Sequence, residues 1–451
     1  MSAKLYDRHE FSMELFQNPT SEYRGAPFWA WNTKPTEEML DFQMKALADM
    51  GFGGFHIHSR TGLDVPYLGD EFMSMVKHCV EYADAHELLA WGYDEDRFPS
   101  GFAGGLVTKE KRYRYRELFW TPNLVTGYQA QRPNSRAEES FLIGAFRIVL
   151  DEDGKLKKSE LLSAAEYEAL REAACRAEAA GEDEEILRSL AEQKRQIAGE
   201  GAIWFAYCRL AVEDSWFNNQ TYVDTLDKAS IERFCEVTHE RYRQVVGEYF
   251  GTTIPSFFTD EPKVTYKKTF GHASDCRNLI MPWTDNFPDT FLEKYGMDLI
   301  PKIPELFWEL PGQEVSQARY YYHRHVAERF TESYSKTIGD WCRAHGVSLT
   351  GHMIKEPSLK SQSTAVGESM APLGPFGLPG IDMLCDEREY TTAIQAQSIA
   401  HQFGREGVLS ELYGVTNWDF DFRGHKLGGD WQAALGVTVR VPHLSWMTME
   451  G

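Results

Sequence analysis

Short apolar runs rich in aromatic and β-branched residues alternate along this chain with segments of helical pattern. Eight of these runs have the length of buried strands, and they begin near residues 26, 54, 88, 256, 347, 380, 408 and 438. This alternation is typical of parallel βα units, and eight strands close a parallel barrel. The pattern therefore predicts an α/β fold, a (β/α)8 barrel of the TIM type. A doubly wound open sheet is the alternative, but no phosphate-binding glycine fingerprint follows the first strand.

The helix after the first predicted strand illustrates the local signals. Thr36 has a side chain suited to cap the helix, two glutamates follow it, and Gly51 ends the pattern. The periodicity predicts an apolar stripe made of Met39, Phe42, Ala46 and Met50.

The alternation breaks over residues 110–228, where β-like runs flank a charged helical stretch at about 160–198. We interpret this stretch as a solvated helical hairpin and the whole segment as a β-like and helical subdomain, inserted at the rim of a barrel that spans 1–451. The chain stops directly after the eighth predicted strand, so we expect a fragment of a longer protein.

Composition and charge narrow the class of partner. The chain has 451 residues, 42% of them apolar, and a formal net charge of −21, which argues against nucleic acids and anionic membranes. A carbohydrate is compatible with this charge, and the oligomeric state is left open. Seven cysteines without metal-site spacing and a start without an apolar leader indicate a cytoplasmic protein.

Two acidic motifs end predicted strands that face each other across a barrel mouth. Asp260 and Glu261 precede Pro262 at the end of the fourth strand, and Glu411 ends the seventh. One carboxyl group would protonate the departing oxygen of a glycoside while the other activates water or attacks the anomeric carbon. A helix cap at Asp260 and a surface salt bridge at Glu411 are the structural alternatives. Glu356 is a rival for the base, or a group that binds sugar hydroxyls.

Other polar and aromatic side chains at strand ends are candidates for binding the sugar. Period-two alternation places His56 on the same face as His58, although for His56 we favour a structural role. The predicted substrate-binding residues are Trp31, His58, Asp94, Asp96, Asp260, His352, Glu356, Trp418 and His443. No cofactor is required by these motifs and no metal site is defined. A calcium ion among the Asp and Glu side chains is favoured over a metal held by the His-x-His pair.

The order of the motifs APFWAWN, GGFHIHSRTGL, GYDEDRFPSGFAGG, FFTDEP, TGHMIKEPSL, SELYGVTNWD and VPHLSWMTMEG resembles that of glycoside hydrolase family 106, the α-L-rhamnosidases and their relatives. The resemblance spans most of the chain outside residues 110–228. It implies a barrel catalytic domain that hydrolyses terminal α-L-rhamnosides with inversion, Glu261 as general acid and Glu411 as general base, and room for a calcium ion near the sugar. The sequence departs from the family by stopping before the β-sandwich domains that usually follow.

Two other functions stay open at this point: a barrel glycosidase for another sugar, and a non-catalytic carbohydrate-binding barrel. The stereochemistry also stays open, because retaining enzymes place two acids on the same strands, with the carboxyl groups roughly 5 Å apart, whereas inversion needs roughly 6.5–9.5 Å.

Overall fold

The computed structural model describes residues 11–179, 201–313, 315–384 and 388–450. Two compact units form. The first comprises Met1–Lys109, Asp214–Lys263 and Arg329–Gly451, and the second comprises Glu110–Glu213 and Val264–Glu328. The second unit begins where the predicted inserted subdomain begins, but it also takes in a later segment that the sequence analysis assigned to the barrel. The predicted boundaries at 110 and 228 stay a prediction.

The strands, in chain order, are β1 (Phe28–Trp31), β2 (Gly54–Ser59), β3 (Leu89–Tyr93), β4 (Arg116–Thr121), β5 (Phe141–Leu150), β6 (Leu156–Leu161), β7 (Ala202–Leu210), β8 (Ser256–Thr259), β9 (Leu279–Trp283), β10 (Ser348–Gly351), β11 (Gly380–Met383), β12 (Leu409–Leu412), β13 (Val439–Pro442) and β14 (Ser445–Trp446). Each of the first seven predicted strand segments contains one of these strands, and the eighth contains two, β13 and β14.

The α-helices are α1 (Met13–Gln17), α2 (Glu37–Asp49), α3 (Asp70–Ala85), α4 (Ala164–Ala179), α5 (Lys228–Val237), α6 (His239–Val246), α7 (Phe287–Tyr295), α8 (Gln317–Phe330), α9 (Lys336–Ala344), α10 (Leu359–Ala365), α11 (Met370–Leu373), α12 (Tyr390–Gln402) and α13 (Phe422–Ala434). The second half of the predicted helical hairpin lies outside the described residues. In the described ranges, none of the helices combines the length and the apolar character that crossing a bilayer requires.

The first unit contains two parallel sheets with helices between their strands. One has the order β10-β8-β3-β2-β1-β14 and the other has the order β11-β12-β13. Side chains from both sheets share one apolar core, made of Ala26, Phe28, Trp91, Tyr93, Phe258, Leu378, Leu409, Val439 and Val441. The prediction of parallel βα units is therefore confirmed.

Helix α2 shows which local signals the sequence carries. The Thr36 hydroxyl accepts a hydrogen bond from the backbone N–H of Met39, so the predicted cap is confirmed. The predicted apolar stripe is wrong, since Phe42 is 72% exposed and the buried side chains are instead Leu40, Met44 and Leu47. The helix carries apolar residues on more than one face, and only packing selects the buried one.

The second unit is built on an antiparallel sheet with the order β6-β5-β7-β4-β9. Phe119, Phe205 and Tyr207 belong to its core. Strand β9 escaped the sequence analysis because its run is short and includes Pro282, which lacks a backbone donor. Its position at the edge of the sheet is where proline is tolerated in a strand.

A buried ion pair in the second unit yields a stability prediction. Nε of Arg116 donates to Oδ1 of Asp285 at 2.6 Å, and the guanidinium also donates to two backbone carbonyls. Replacing Asp285 with alanine leaves a buried charge without its partner, so we expect a loss of about 3–5 kcal/mol in the free energy of unfolding. Urea denaturation followed by tryptophan fluorescence measures it. The matched control is Asp289→Ala, which breaks the exposed pair with Arg132 and should cost about 1 kcal/mol or less. Equal losses in the two variants would contradict the prediction.

Candidate active site

Three buried polar side chains meet at the carboxyl ends of strands in the first unit. Asp260 follows β8, His352 follows β10, and Glu411 lies in β12. Nε2 of His352 lies 2.9 Å from Oε2 of Glu411 and 3.3 Å from Oδ1 of Asp260. We call these three residues the central cluster. All three are predicted site residues, and they come from both parallel sheets.

The charges in the central cluster depend on one another. Burial disfavours a charged imidazole, but the hydrogen bond with Glu411 and the nearby carboxylates of Asp382 and Asp260 outweigh it and raise the pKa of His352 well above its usual range. Burial raises the pKa of Glu411 to about 8, and the hydrogen bond from His352 acts against this rise. Glu411 therefore combines a high affinity for protons with a donor that steadies its ionised form, as a general base requires.

Asp260 is held from the side of β3. Its Oδ2 accepts a hydrogen bond from the hydroxyl group of Tyr93 at 2.6 Å, and its backbone N–H donates to the Ser100 hydroxyl at 2.9 Å. That hydroxyl donates in turn to Oδ1 of Asp94 at 2.6 Å. Burial raises the pKa of Asp94 to about 8, and its Oδ2 lies 3.8 Å from Nε2 of His239. The predicted Asp94 thus joins the central cluster indirectly, through Ser100.

Glu261, the predicted proton donor, directly follows Asp260. Its backbone φ of 47° lies in the left-handed region, which residues other than glycine rarely adopt and which is found most often at functional sites. Burial, and then the charge of Asp260, raise the pKa of Glu261 to about 7. A carboxyl group that is still partly protonated at neutral pH is suited to general acid catalysis.

Two further carboxyl groups, those of Glu356 and Asp382, lie near His352 of the central cluster. Oε2 of the buried Glu356 accepts a hydrogen bond from the backbone N–H of Asp382 at 3.0 Å, and burial raises the pKa of Glu356 to about 8. Asp382 lies opposite Glu411 in the register of β11 and β12, and burial raises its pKa also. The sequence analysis did not single out Asp382. The signal was present, since it is an acid inside a four-residue strand of otherwise apolar or small residues.

Two predicted histidines near the carboxyl groups, His443 and His58, are neutral. Nε2 of His443 is 3.7 Å from Oε1 of Glu411, and burial, followed by the charge of Arg60, lowers the pKa of His443 to about 4. The ring of His58 stacks on Tyr93 with centroids 3.9 Å apart, and burial and Arg60 hold its pKa well below the usual value. Both rings are therefore available as hydrogen-bonding groups without charge.

Asp96 is engaged in a separate set of bonds. Its Oδ1 accepts from the Ser59 hydroxyl at 3.0 Å. Its Oδ2 accepts from Arg97 at 3.0 and 3.1 Å and from the side-chain amide of Asn218 at 3.1 Å. These bonds tie the segment after β3 to the end of β2, so in this structure Asp96 organises the loops and its oxygens are already occupied.

Two predicted aromatic residues are not brought to the central cluster. Trp31 is fully buried, and its ring packs edge-on against Trp29 and against Phe72 of α3. Trp418 lies in the loop after β12 and is 96% exposed. His56 is buried, with Nδ1 3.0 Å from the carbonyl oxygen of Ala26, and its structural role stays a prediction.

Sequence reasoning missed the role of Glu95, which organises the glycine-rich loop after β3. Its carboxyl group accepts five backbone N–H bonds, from Asp96 and from the run Gly101, Phe102, Ala103 and Gly104, at 2.6–2.9 Å. The signal is an acid followed at short distance by a glycine-rich loop, whose N–H groups can converge on one anion. This loop includes Ser100, so Glu95 indirectly supports Asp260.

Replacing Glu95 with glutamine should therefore destabilise the protein. The amide nitrogen of glutamine accepts no hydrogen bond and would face several buried N–H groups, so we expect a loss of about 2–4 kcal/mol in the free energy of unfolding. Chemical denaturation measures it. Glu81→Gln is the matched control, because the side chain of Glu81 on α3 is exposed, and it should change stability by less than about 0.5 kcal/mol. A Glu95 variant as stable as this control would contradict the role.

The central cluster has the spacing of a metal site. One ligand atom from each of its residues lies within 4.8 Å of the others, close enough to share an ion. Calcium takes about six to eight oxygen ligands, whereas this set has two carboxylates and an imidazole nitrogen that already hydrogen-bonds to Glu411. The set does not fit calcium.

No protein-family model matches the chain, and no curated protein matches it at a significant score. Its structure is similar to a solved structure described as that of a rhamnosidase from Novosphingobium sp. PP1Y, with a TM-score of 0.64 and 14% sequence identity. The likeness covers 97% of this chain and 57% of the rhamnosidase, so the chain spans a little more than half the length of that relative. The chain therefore has a rhamnosidase-like fold.

Proposed function

We propose that the chain is a glycoside hydrolase that cleaves terminal linkages of α-L-rhamnose, or of a closely related deoxy sugar. The observation that carries the proposal is the pair Glu261 and Glu411, whose pKa values burial raises to about 7 and about 8 around one buried cluster. Two carboxyl groups with such perturbed proton affinities are what glycosidic cleavage uses. The rhamnosidase-like fold supports the reaction class, and the motif resemblance to glycoside hydrolase family 106 supports the sugar.

The proposal includes a closed barrel made from the two parallel sheets, whose nine strands make eight staves because β13 and β14 follow each other in the last predicted run and act as one. Several hydrogen bonds support closure. The carbonyl of Leu349 in β10 accepts from the N–H groups of Gly377 and Leu378, just before β11, at 3.0 and 3.2 Å. At the other junction, the N–H of Ala26 before β1 donates to the carbonyl of Arg440 in β13 at 3.1 Å. The apolar core shared by both sheets is what the interior of such a barrel contains.

In the proposed reaction, Glu261 protonates the departing glycosidic oxygen while Glu411 takes a proton from the water that attacks the anomeric carbon. His352 donates to Glu411 and holds its carboxylate in one orientation, and the carboxylate of Asp260, near the same nitrogen, favours the charged form of His352. This is the inverting course that the family resemblance implies. Water attacks the anomeric carbon directly, and no covalent glycosyl-enzyme intermediate forms.

The remaining polar groups would hold the sugar ring. Within the described residues, Oδ1 of Asp382 is buried and has no hydrogen-bond partner, so it can accept a bond from a sugar hydroxyl group. The neutral imidazole of His443 and the carboxyl group of Glu356 offer further hydrogen bonds around the same place. We propose these three, with Asp260, as the groups that select the orientation of the sugar.

Hydrolysis of 4-nitrophenyl α-L-rhamnoside tests the proposal directly, beside a panel of aryl glycosides of other sugars. We expect turnover of the rhamnoside, release of the sugar with inverted anomeric configuration by proton NMR, and loss of turnover in the double variant Glu261→Gln/Glu411→Gln.

Each other outcome removes a defined part of the proposal. Turnover of a different glycoside would overturn the sugar and leave the reaction class. Release of the sugar with retained configuration would mean that the carboxylate of Glu411, and not water, attacks the anomeric carbon first. A folded protein that turns over none of these glycosides would overturn the enzymatic proposal.

A further inference from the structure

A cavity beside the candidate active site has a distinct chemistry. It has a volume of about 290 Å³ and belongs to the first unit; its walls are Arg60, Thr61, Arg97, Phe98, Trp216 and Trp446. Small-ligand pockets begin at roughly 300 Å³, so its size suits a single ring more than an extended chain. We call it the Arg60 pocket.

Its walls combine guanidinium groups with partly exposed indole rings. The guanidinium of Arg60 lies 5.7 Å from the ring centroid of Trp446, and that of Arg97 lies 5.9 Å from the ring centroid of Trp216. The two tryptophans are 43% and 41% exposed. The indole N–H of Trp216 donates to the carbonyl of Phe98 at 2.9 Å, which fixes that ring. Aromatic faces beside hydrogen-bond donors suit a ring that is apolar on its face and polar at its edge.

The two arginines differ in how their charge is met. Arg97 is neutralised by Asp96, to which both Nε and Nη2 donate. Nη1 of Arg60 lies 3.3 Å from a neutral partner, Nε2 of His58. In the part of the chain that the structure describes, no carboxylate lies within 4.0 Å of the Arg60 guanidinium. In a chain with a net charge of −21, such an arginine stands out.

The Arg60 pocket is connected to the proposed chemistry through one imidazole. Arg60 is close enough to His443 for its charge to disfavour protonation of that ring. Nε2 of the same ring lies 3.7 Å from Oε1 of Glu411. Arg60 directly follows β2, and Trp446 lies in β14, paired with β1, so the pocket opens at the same ends of the strands as the central cluster.

We propose that the Arg60 pocket binds an anionic sugar unit of the substrate, with the carboxylate of a uronosyl residue on Arg60 and the sugar ring against Trp446. The proposal rests on the glycosidase function above and names its substrate class: a terminal deoxy sugar attached to an acidic sugar. The guanidinium donates two parallel N–H bonds to a carboxylate, and the tryptophan face packs on the C–H groups of the ring. A sulfate ester offers the same anionic chemistry, so the test includes both.

The test compares three disaccharides that share a terminal α-L-rhamnosyl group: one linked to glucuronate, its carboxyl-reduced glucoside, and the same glucoside carrying a sulfate ester. In wild type we expect kcat/KM for the glucuronate to exceed that for the neutral glucoside about 10- to 100-fold, as charge-assisted hydrogen bonds typically give. In Arg60→Gln this ratio should fall to about one, with Arg60→Lys intermediate. The exposed Arg343→Gln is the matched control and should keep the wild-type ratio.

The outcomes separate this proposal from the function on which it rests. A wild-type ratio near one, or a high ratio that survives in Arg60→Gln, overturns the pocket and leaves the glycosidase. A preference for the sulfated over the uronic substrate overturns the uronosyl assignment in favour of a sulfated sugar. If wild type cleaves none of the three, titration calorimetry with the glucuronate disaccharide decides: binding that Arg60→Gln weakens about 10-fold or more supports the pocket alone, and no binding overturns it.

Discussion

Glu261→Gln is expected to lower kcat about 10²- to 10⁴-fold on a rhamnosyl disaccharide, whose leaving group must be protonated. The same variant should stay within about 10-fold of wild type on 2,4-dinitrophenyl α-L-rhamnoside, whose leaving group departs without a proton. The reason is that glutamine keeps the size of the side chain but has no acidic proton to give. Steady-state kinetics on the two substrates measure the difference.

The pH profile provides a second readout for the same residue. Glu261 must be protonated to act, and since burial raises its pKa to about 7, its protonated fraction falls as pH rises through 7 and gives the wild-type profile an alkaline limb. This alkaline limb should disappear from kcat in Glu261→Gln on the dinitrophenyl substrate. Glu293→Gln, an exposed change in the second unit, is the control and should leave both substrates unaffected. An equal loss on both substrates would move the general acid to another residue.

Glu411→Gln should lower kcat by a similar factor of about 10²–10⁴, but on both substrates alike, since activation of water is needed whatever the leaving group. The base must be ionised to act. Burial raises the pKa of Glu411 to about 8, so the ionised fraction of Glu411 rises as pH rises through 8 and gives the wild-type profile an acid limb, which should be absent from the variant. Wild type needs Glu261 protonated and Glu411 ionised at the same time, so its optimum should lie between pH 7 and 8.

Glu356→Gln is the matched comparison for the base. Glu356 is also buried and its pKa is raised to about 8, but it accepts from the backbone N–H of Asp382, whereas Glu411 accepts from His352. If Glu411→Gln keeps full activity while Glu356→Gln loses the acid limb, the base is Glu356. Loss of the hydrogen bond in Glu411→Gln should also lower the pKa of His352, which nitrogen NMR of the imidazole detects.

The strands of the first unit were predictable because each is a short apolar run that ends in polar residues. The same pattern located Asp260, His352 and Glu411. A polar side chain at the carboxyl end of a buried parallel strand lies at the face where the ends of those strands meet. Their mutual distances were not predictable. Nothing in the sequence indicates that His352 lies between two acids from different strands, because that depends on the tilt and register of strands far apart in the chain.

The misses have equally specific causes. Asp382 was overlooked because its segment was predicted as a strand from its apolar residues, and the acid inside the strand was not considered as a site residue. Glu95 was missed because β3 ends at Tyr93, so strand alternation does not indicate where a side chain two residues later lies. The buried face of α2 could not be chosen from periodicity, since Phe42 and Leu40 are both apolar and differ only in what packs against them.

The order of the strands has a consequence for how the chain is made. Strand β1 pairs with β2, its neighbour along the chain, and also with β14 near the other end. Asn32, just after β1, exchanges two hydrogen bonds with Thr448, 416 positions later. During synthesis on the ribosome, one edge of β1 must therefore stay unpaired until β14, more than 400 residues later, has emerged. Such long-range pairing slows folding and exposes an apolar strand edge to other nascent chains, so we expect the yield of folded protein to depend on chaperones that cover this edge.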